Sequence, residues 1–234
     1  MKPNRLVKQV YEESKKSYLE QKQVNWTQGI HKLLIKYDLE NLWNNPENLL
    51  NVDELKNRKD KSHKGHLKFW KDAVRKKVHN QEEKDWKFTL TTLPKLRTYI
   101  KVKEKLELEH YLLNNDNVKG THFLTSLRVG TNTLRIETGR WNKESVEERK
   151  CKICLSGNIE DEEHFIMNCS AYQDLRDKFF EKICTITQGK MNPFYHQDSF
   201  HQILRCSKTD KDLTEEIKFF IRKAMKRRSR LVGN

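Results

Sequence analysis

Apolar residues recur at helical spacing along most of this chain, in short amphipathic segments separated by polar breaks. Trp26, Ile30, Leu33, Leu34 and Tyr37 fall on one face and predict a helix over residues 26–37. A thinner stripe of Leu6, Val10, Tyr11, Tyr18 and Leu19, with Ser14 among them, predicts a more polar helix over residues 4–21. Asn44, Asn45 and Pro46 interrupt the pattern, Asp53 is placed to cap a following helix, and Leu67, Trp70, Val74 and Val78 mark one face of a helix over 66–79. Trp86 and Phe88 fall in a less regular stretch, and around Pro94 the sequence predicts turn and short helix, with β-branched residues leaving extended structure open. Residues 104–113 read as helical again, up to the break at Asn114, Asn115, Asp116 and Asn117.

The pattern then changes period. His122, Phe123, Leu124 and Leu127 predict a helix ending near Gly130, but Leu134 and Ile136 alternate with Arg135 and Glu137, which predicts a short strand or extended arm. Ser170 and Gln173 have capping-box spacing ahead of a helix to Ile183 that carries Leu175, Phe179 and Ile183 on one face. A loop is expected around Pro193, a short helix over 200–204, and a last helix over 213–228 with Ile217, Phe220, Ile221 and Ala224 on one face. Glu215 and Glu216 stand in its first turn and its bases at the end, which complements the helix dipole.

Between these segments lies the one constellation whose spacing implies specific chemistry. Cys151, Cys154, His164 and Cys169 form a C-x2-C-x9-H-x4-C array. Three thiolates and an imidazole suit Zn²⁺, a d¹⁰ ion satisfied by four such donors in a tetrahedron. With all four positions filled by protein no place is left for water, so a structural metal is expected rather than a Lewis-acid catalyst. The fold class that follows is mostly α: a helical basic region (1–120), a small CCHC zinc-binding segment with flanking helices (121–183), and C-terminal helices with a basic tail (184–234).

Charge adds a partner class. The formal charge of +14 on 234 residues implies attraction to polyanions, with nucleic acid ahead of an anionic membrane. Lys218, Arg222, Lys223, Lys226, Arg227, Arg228 and Arg230 crowd the last helix without an acid among them, and residues 56–77 hold ten Lys or Arg against Asp60 and Asp72. That second run reads equally well as a solvated helix face. The stretch Glu160, Asp161, Glu162 and Glu163 between the ligand pairs, with a net negative zinc cluster, predicts a face that repels phosphate. Contacts to RNA or DNA phosphates are therefore expected from Arg128, Arg135, Arg140, Lys143, Arg149, Lys150 and Lys152, with Trp141 as a stacking residue, and from Lys226, Arg227, Arg228 and Arg230 in the tail, where KRRSR also reads as a nuclear-import signal. The remaining tryptophans read as core anchors and the remaining histidines as surface or core residues. Cys184 and Cys206 read as buried thiols in a reduced compartment. With no secretory h-region and no long apolar run, an intracellular protein of nucleus or cytoplasm, without a membrane partner, is expected.

The string LTSLRVGTNTLRIETGRW followed by CKICLSGNIEDEEHFIMNCSAYQDLR resembles the zinc-binding segment after the reverse transcriptase domain of non-LTR, LINE-like retrotransposon polyproteins. The positions that carry the resemblance are Leu134, Ile136, Glu137, Gly139 and Arg140, the paired cysteines, Asp161 and Glu162 before His164 and Phe165, then Cys169, Tyr172 and Arg176. Upstream, Trp26, Lys32 to Leu34, Tyr37 to Leu39, Trp43 with Pro46, and Lys95 to Tyr99 are similar to the region between polymerase and zinc segment. The resemblance implies a module that holds template RNA or target DNA beside a polymerase. It does not imply polymerase activity here, because the aromatic-x-Asp-Asp string that would hold two catalytic metal ions does not occur, nor does a recognisable endonuclease set. The expectation is a non-catalytic module, with a protein-interaction or structural role on a polymerase partner as the alternative.

Overall fold

Helices supply nearly all the regular structure of the computed structural model, which describes residues 4–20, 26–43, 63–113, 116–190, 199–205 and 210–233. In chain order they are α1 (Asn4–Leu19), α2 (Trp26–Lys36), α3 (His63–Thr92), α4 (Tyr99–Val102), α5 (Val118–Val129), α6 (Arg135–Trp141), α7 (Gln173–Ile186), α8 (Ser199–Arg205) and α9 (Lys211–Val232), with short 3₁₀ turns between them. Among the described residues there is no strand, only one isolated antiparallel bridge between Lys150 and Ile159. The mostly helical class is as the sequence predicts. The break at Asn44 to Pro46, the cap at Asp53, the loop around Pro193, His196 and Cys206 lie outside the described residues.

The chain divides into two compact units, Met1–Asp85 and Trp86–Asn234. In the first, α1 packs on α2, and the Thr27 hydroxyl donates to the Ser14 carbonyl at 3.2 Å. Trp43 is the anchor predicted for it, buried against Tyr18 and His31 with Lys15 Nζ donating to its carbonyl at 2.7 Å. Trp26, read as another core anchor, is instead half exposed.

In the second unit a single core gathers Val102, Tyr111, Leu124, Leu127, Leu134 and Ile136 with Phe165, Ile166, Phe179, Ile183 and the apolar face of α9. The predicted stripe of α9, Ile217, Phe220, Ile221 and Ala224, is buried as a set, and Phe220 stacks on Phe179 at 4.4 Å between ring centroids. Asp210 caps this helix by accepting the Leu213 N–H at 2.9 Å. Helix α5 ends where predicted: Gly130 takes φ 65° and its N–H returns to the Ser126 carbonyl. A Cβ there would also meet the Lys95 carbonyl oxygen at 2.2 Å, so glycine is required twice over.

Four local expectations fail. Trp86 and Phe88 lie within α3, which continues to Thr92 until Pro94 stops it. Residues 104–113 are not a helix beyond the single 3₁₀ turn His110–Leu112, because Glu109 is drawn to Lys103 at 2.7 Å and to Arg128 through paired bonds of 3.0 and 3.1 Å. Ser170 and Gln173 form no capping box: Ser170 opens a 3₁₀ turn, and Gln173 accepts from Arg176 at 2.8 Å instead. The predicted arm at Leu134 to Trp141 is helix α6, for a reason that lies in the metal-site segment.

Arg128 is fully buried, its guanidinium 4.9 Å from the Tyr111 ring centroid, and is thus a core ion-pair residue rather than a phosphate contact. Burial alone would raise the Glu109 carboxyl, but Lys103 and Arg128 outweigh it and hold it below the usual range. Its stabilisation is therefore present above the normal carboxylate range and lost as pH falls through the depressed folded value. Arg128→Ala is expected to destabilise the unit by about 3 kcal/mol and to shrink this acid-side loss, read by urea unfolding across pH.

Candidate metal centre

Cys151 and Cys154 sit on a tight turn whose two arms are joined by the Lys150 to Ile159 bridge. The Cys151 N–H donates to the Asn158 carbonyl at 2.8 Å, and the Glu160 N–H to the Arg149 carbonyl at 3.0 Å. Leu155 (φ 55°) and Gly157 (φ 79°) supply the left-handed backbone that closes the turn. The other two donors bracket a single π-helical turn, His164–Asn168, with the Asp161 carboxylate accepting the His164 N–H at 2.8 Å and the Cys169 N–H returning to the His164 carbonyl at 2.7 Å. Arg176, buried beneath, donates to the Ile166 carbonyl at 2.8 Å and the Cys169 carbonyl at 2.7 Å and so fixes that turn.

The four ligand atoms all lie within 4.8 Å of one another, with Cys154 Sγ 3.3 Å from His164 Nε2. A tetrahedral ion with bonds of about 2.3 Å to sulfur has donor separations near ~3.8 Å, so the group could hold a metal ion. Backbone N–H groups already aim at the sulfurs: those of Ile153 and Cys154 at Cys151, that of Ser156 at Cys154 and that of Ala171 at Cys169. Such donors stabilise thiolates without adding charge. Burial pushes the Cys151 thiol up, and burial together with the neighbouring sulfurs pushes Cys169 up to about 12. Partial burial raises Cys154 too, but bonds from the Ser156 hydroxyl and backbone outweigh it and bring it down to about 6. Three thiols crowded in this way need a cation to ionise together, and a divalent ion at the centre reverses the repulsion.

The acidic stretch beside the ligands is not the phosphate-repelling face that the sequence predicts. Glu160 and Glu162 are buried, each only 2% exposed. Glu160 accepts from Arg228 Nε and Nη2, both at 2.8 Å, and Glu162 accepts from Arg97 Nη2 at 2.6 and 2.8 Å and from Asn132 Nδ2 at 2.9 Å. Arg97 also bonds Glu137 at 2.6 Å, and Arg140 closes on the same carboxylate at 2.6 Å. This network explains α6. The Arg135 N–H donates to the Glu160 carboxylate at 2.9 Å and the Ile136 N–H to the Glu160 carbonyl at 3.1 Å, so the first turn is capped from the metal-site segment. With Leu134, Ile136 and Glu137 all buried, helix wins over the alternating pattern.

The predicted nucleic-acid residues separate into two groups. Besides Arg128, Arg228 is buried on Glu160: burial would depress its guanidinium, but the carboxylate outweighs it and keeps it charged. Arg135 pairs with Glu144, Arg140 with Glu137, and Arg227 with Asp174, while Arg149 donates to the carbonyls of Glu144 and Ile136. Their donors hold the fold, and Arg128 and Arg228 are not available to phosphate. Trp141, Lys143, Lys150, Lys152, Lys226 and Arg230 are exposed. Arg97, Asn132, Glu160 and Glu162 are site residues that sequence reasoning misses: all four lie within the family-like strings, but their pairing across the chain has no local signal.

A scan against family models, a search of curated proteins and a search of solved structures each find no match. Among the described residues no helix is long and apolar enough to cross a membrane.

Proposed function

We propose that the chain is a zinc-stapled nucleic-acid-binding module without catalysis of its own, of the kind that follows the polymerase in LINE-like elements. Cys151, Cys154, His164 and Cys169 would hold the zinc, which supplies a fixed tetrahedral crosslink between the cysteine turn and the π-helical turn. The role of this chain's residues is to bring cationic side chains to a polyanion. The observation that carries the reading is the sorting of bases around the cluster: most of its arginines are consumed by internal carboxylates and carbonyls, whereas Lys143, Lys150, Lys152, Lys226 and Arg230 stand exposed, with no carboxylate among the described residues at ion-pair distance. A net charge of +14 favours the same class of partner.

Titration of the zinc-loaded chain with labelled single- and double-stranded RNA and DNA at low salt tests this. Affinity is expected to fall steeply and log-linearly with salt. Undetectable binding to all four would leave only the alternative, docking on a polymerase partner, while metal content above one ion per chain would point to a nuclease. Charge reversal of Arg227, Arg228 and Arg230 together is unsuitable as a test because Arg228 is a core residue.

A further inference from the structure

Helices α5, α7 and α9 leave an open cleft of about 770 Å³ between them. Lys119 of α5 and Arg222, Lys223, Lys226 and Arg230 of α9 line it, and the half-buried Phe123 and Leu175, packed on the core, supply its apolar surface. Among the described residues no carboxylate lines it, and none of these five cations has an acid at ion-pair distance. On α9 the four cations fall at i, i+1, i+4 and i+8, a stripe about 12 Å long. On the inner side of the same helix Arg228 is clamped by Glu160, so the metal-site segment fixes which face of α9 turns outward.

We propose that this cleft takes a single strand of nucleic acid, with phosphates on the Lys119 and α9 cations and unstacked bases against Phe123 and Leu175. The inference rests on the nucleic-acid reading and assigns it a place and a strand form. A duplex could meet the cationic rim but keeps its bases stacked inside, away from a recessed aromatic surface. An acidic peptide meets the charge but offers no flat π-face to Phe123. Base stacking on an aromatic residue beneath a cationic groove is sequence-tolerant, so little base preference is expected. Arg227, at the edge of the cleft, is held by Asp174 and is the one cation there in reserve.

The test is fluorescence anisotropy on the zinc-loaded full chain with labelled single strands of about 12 nucleotides, RNA and DNA, and matching duplexes. Five phosphate contacts predict a salt slope of about −3 to −4 on single strands. Changing Lys223, Lys226 and Arg230 together to Gln is expected to weaken single-strand binding at least about tenfold and to flatten the slope by about 2. Changing Lys143, Lys150 and Lys152, the exposed bases beside the cluster, to Gln should weaken single-strand binding less than the cleft triple does. Asp174→Asn leaves Arg227 only its bond to the Ala171 carbonyl and is expected to tighten binding and steepen the slope by up to about 0.7. Phe123→Leu, with helicity monitored by circular dichroism, should weaken single strands and spare any residual duplex binding. The assignment is overturned if the cleft triple binds like wild type, if the Lys143, Lys150 and Lys152 triple loses more binding than the cleft triple, if duplexes bind as tightly as single strands, or if polyglutamate competes as well as an unlabelled oligonucleotide. Those outcomes leave nucleic-acid binding itself standing, whereas wild type that binds no oligonucleotide removes both.

Discussion

Cys154→Ser is expected to abolish stoichiometric zinc binding and to melt much of the helical structure of the unit from Trp86 onward. Apparent binding free energies of structural zinc sites are about 10–16 kcal/mol near neutral pH, as large as the whole stability of an ordinary domain. The segment that carries the donors has little regular structure of its own, one β-bridge and one π-helical turn, and its three sulfurs repel one another once ionised. The effect reaches further than the cluster because Glu160, between the ligand pairs, caps α6 and clamps α9. Chelation of the wild type should reproduce the loss, and Cys184→Ser, outside the cluster, should keep the metal. Because Cys169 stands near 12 without a cation, zinc uptake should release protons and weaken as pH falls. Metal analysis with far-ultraviolet circular dichroism reads all of this. A Cys154→Ser protein as helical and heat-stable as wild type would exclude a structural metal.

Glu160→Gln is expected to cost about 3–5 kcal/mol, the second largest effect, because it leaves Arg228 charged and uncompensated in the core. In a unit of this size that corresponds to a fall in Tm of about 10 °C. Arg228→Met should be destabilising for the complementary reason, and the double variant should lose less than the two singles together, by more than about 1 kcal/mol. Additive losses would mean that the carboxylate acts only as the cap of α6. Neither substitution touches a ligand sulfur, so zinc content should persist at temperatures where the variant is folded, which separates the clamp from the cluster.

The ligand set was legible because coordination chemistry restricts it to a few side-chain types at short spacings, and those are written locally. The faces of α7 and α9 were legible for a similar reason: Phe179 and Ile183, or Ile217, Phe220 and Ala224, are brought to one side by the helix period itself. The alternation at Leu134 to Glu137, which predicts a short strand or extended arm, loses to helix because the groups that cap α6 come from Glu160, a residue 25 positions from Arg135. The acidic stretch misled in the same way. A run of four acids reads as solvated, yet the partners that bury Glu160 and Glu162 lie 68 and 65 residues away in Arg228 and Arg97.

By itself, then, the sequence determined the helical class, the CCHC donor set and the excess of positive charge, because each depends on residue type and short-range periodicity. Only the tertiary structure decided which charges remain outside internal ion pairs. An arginine fork and a carboxylate close on each other wherever folding brings them together out of water, and that meeting is set by positions far apart in the chain. The result removes Arg128 and Arg228 from the surface, occupies Arg135, Arg140 and Arg227, and leaves Lys119, Lys223, Lys226 and Arg230 along one cleft.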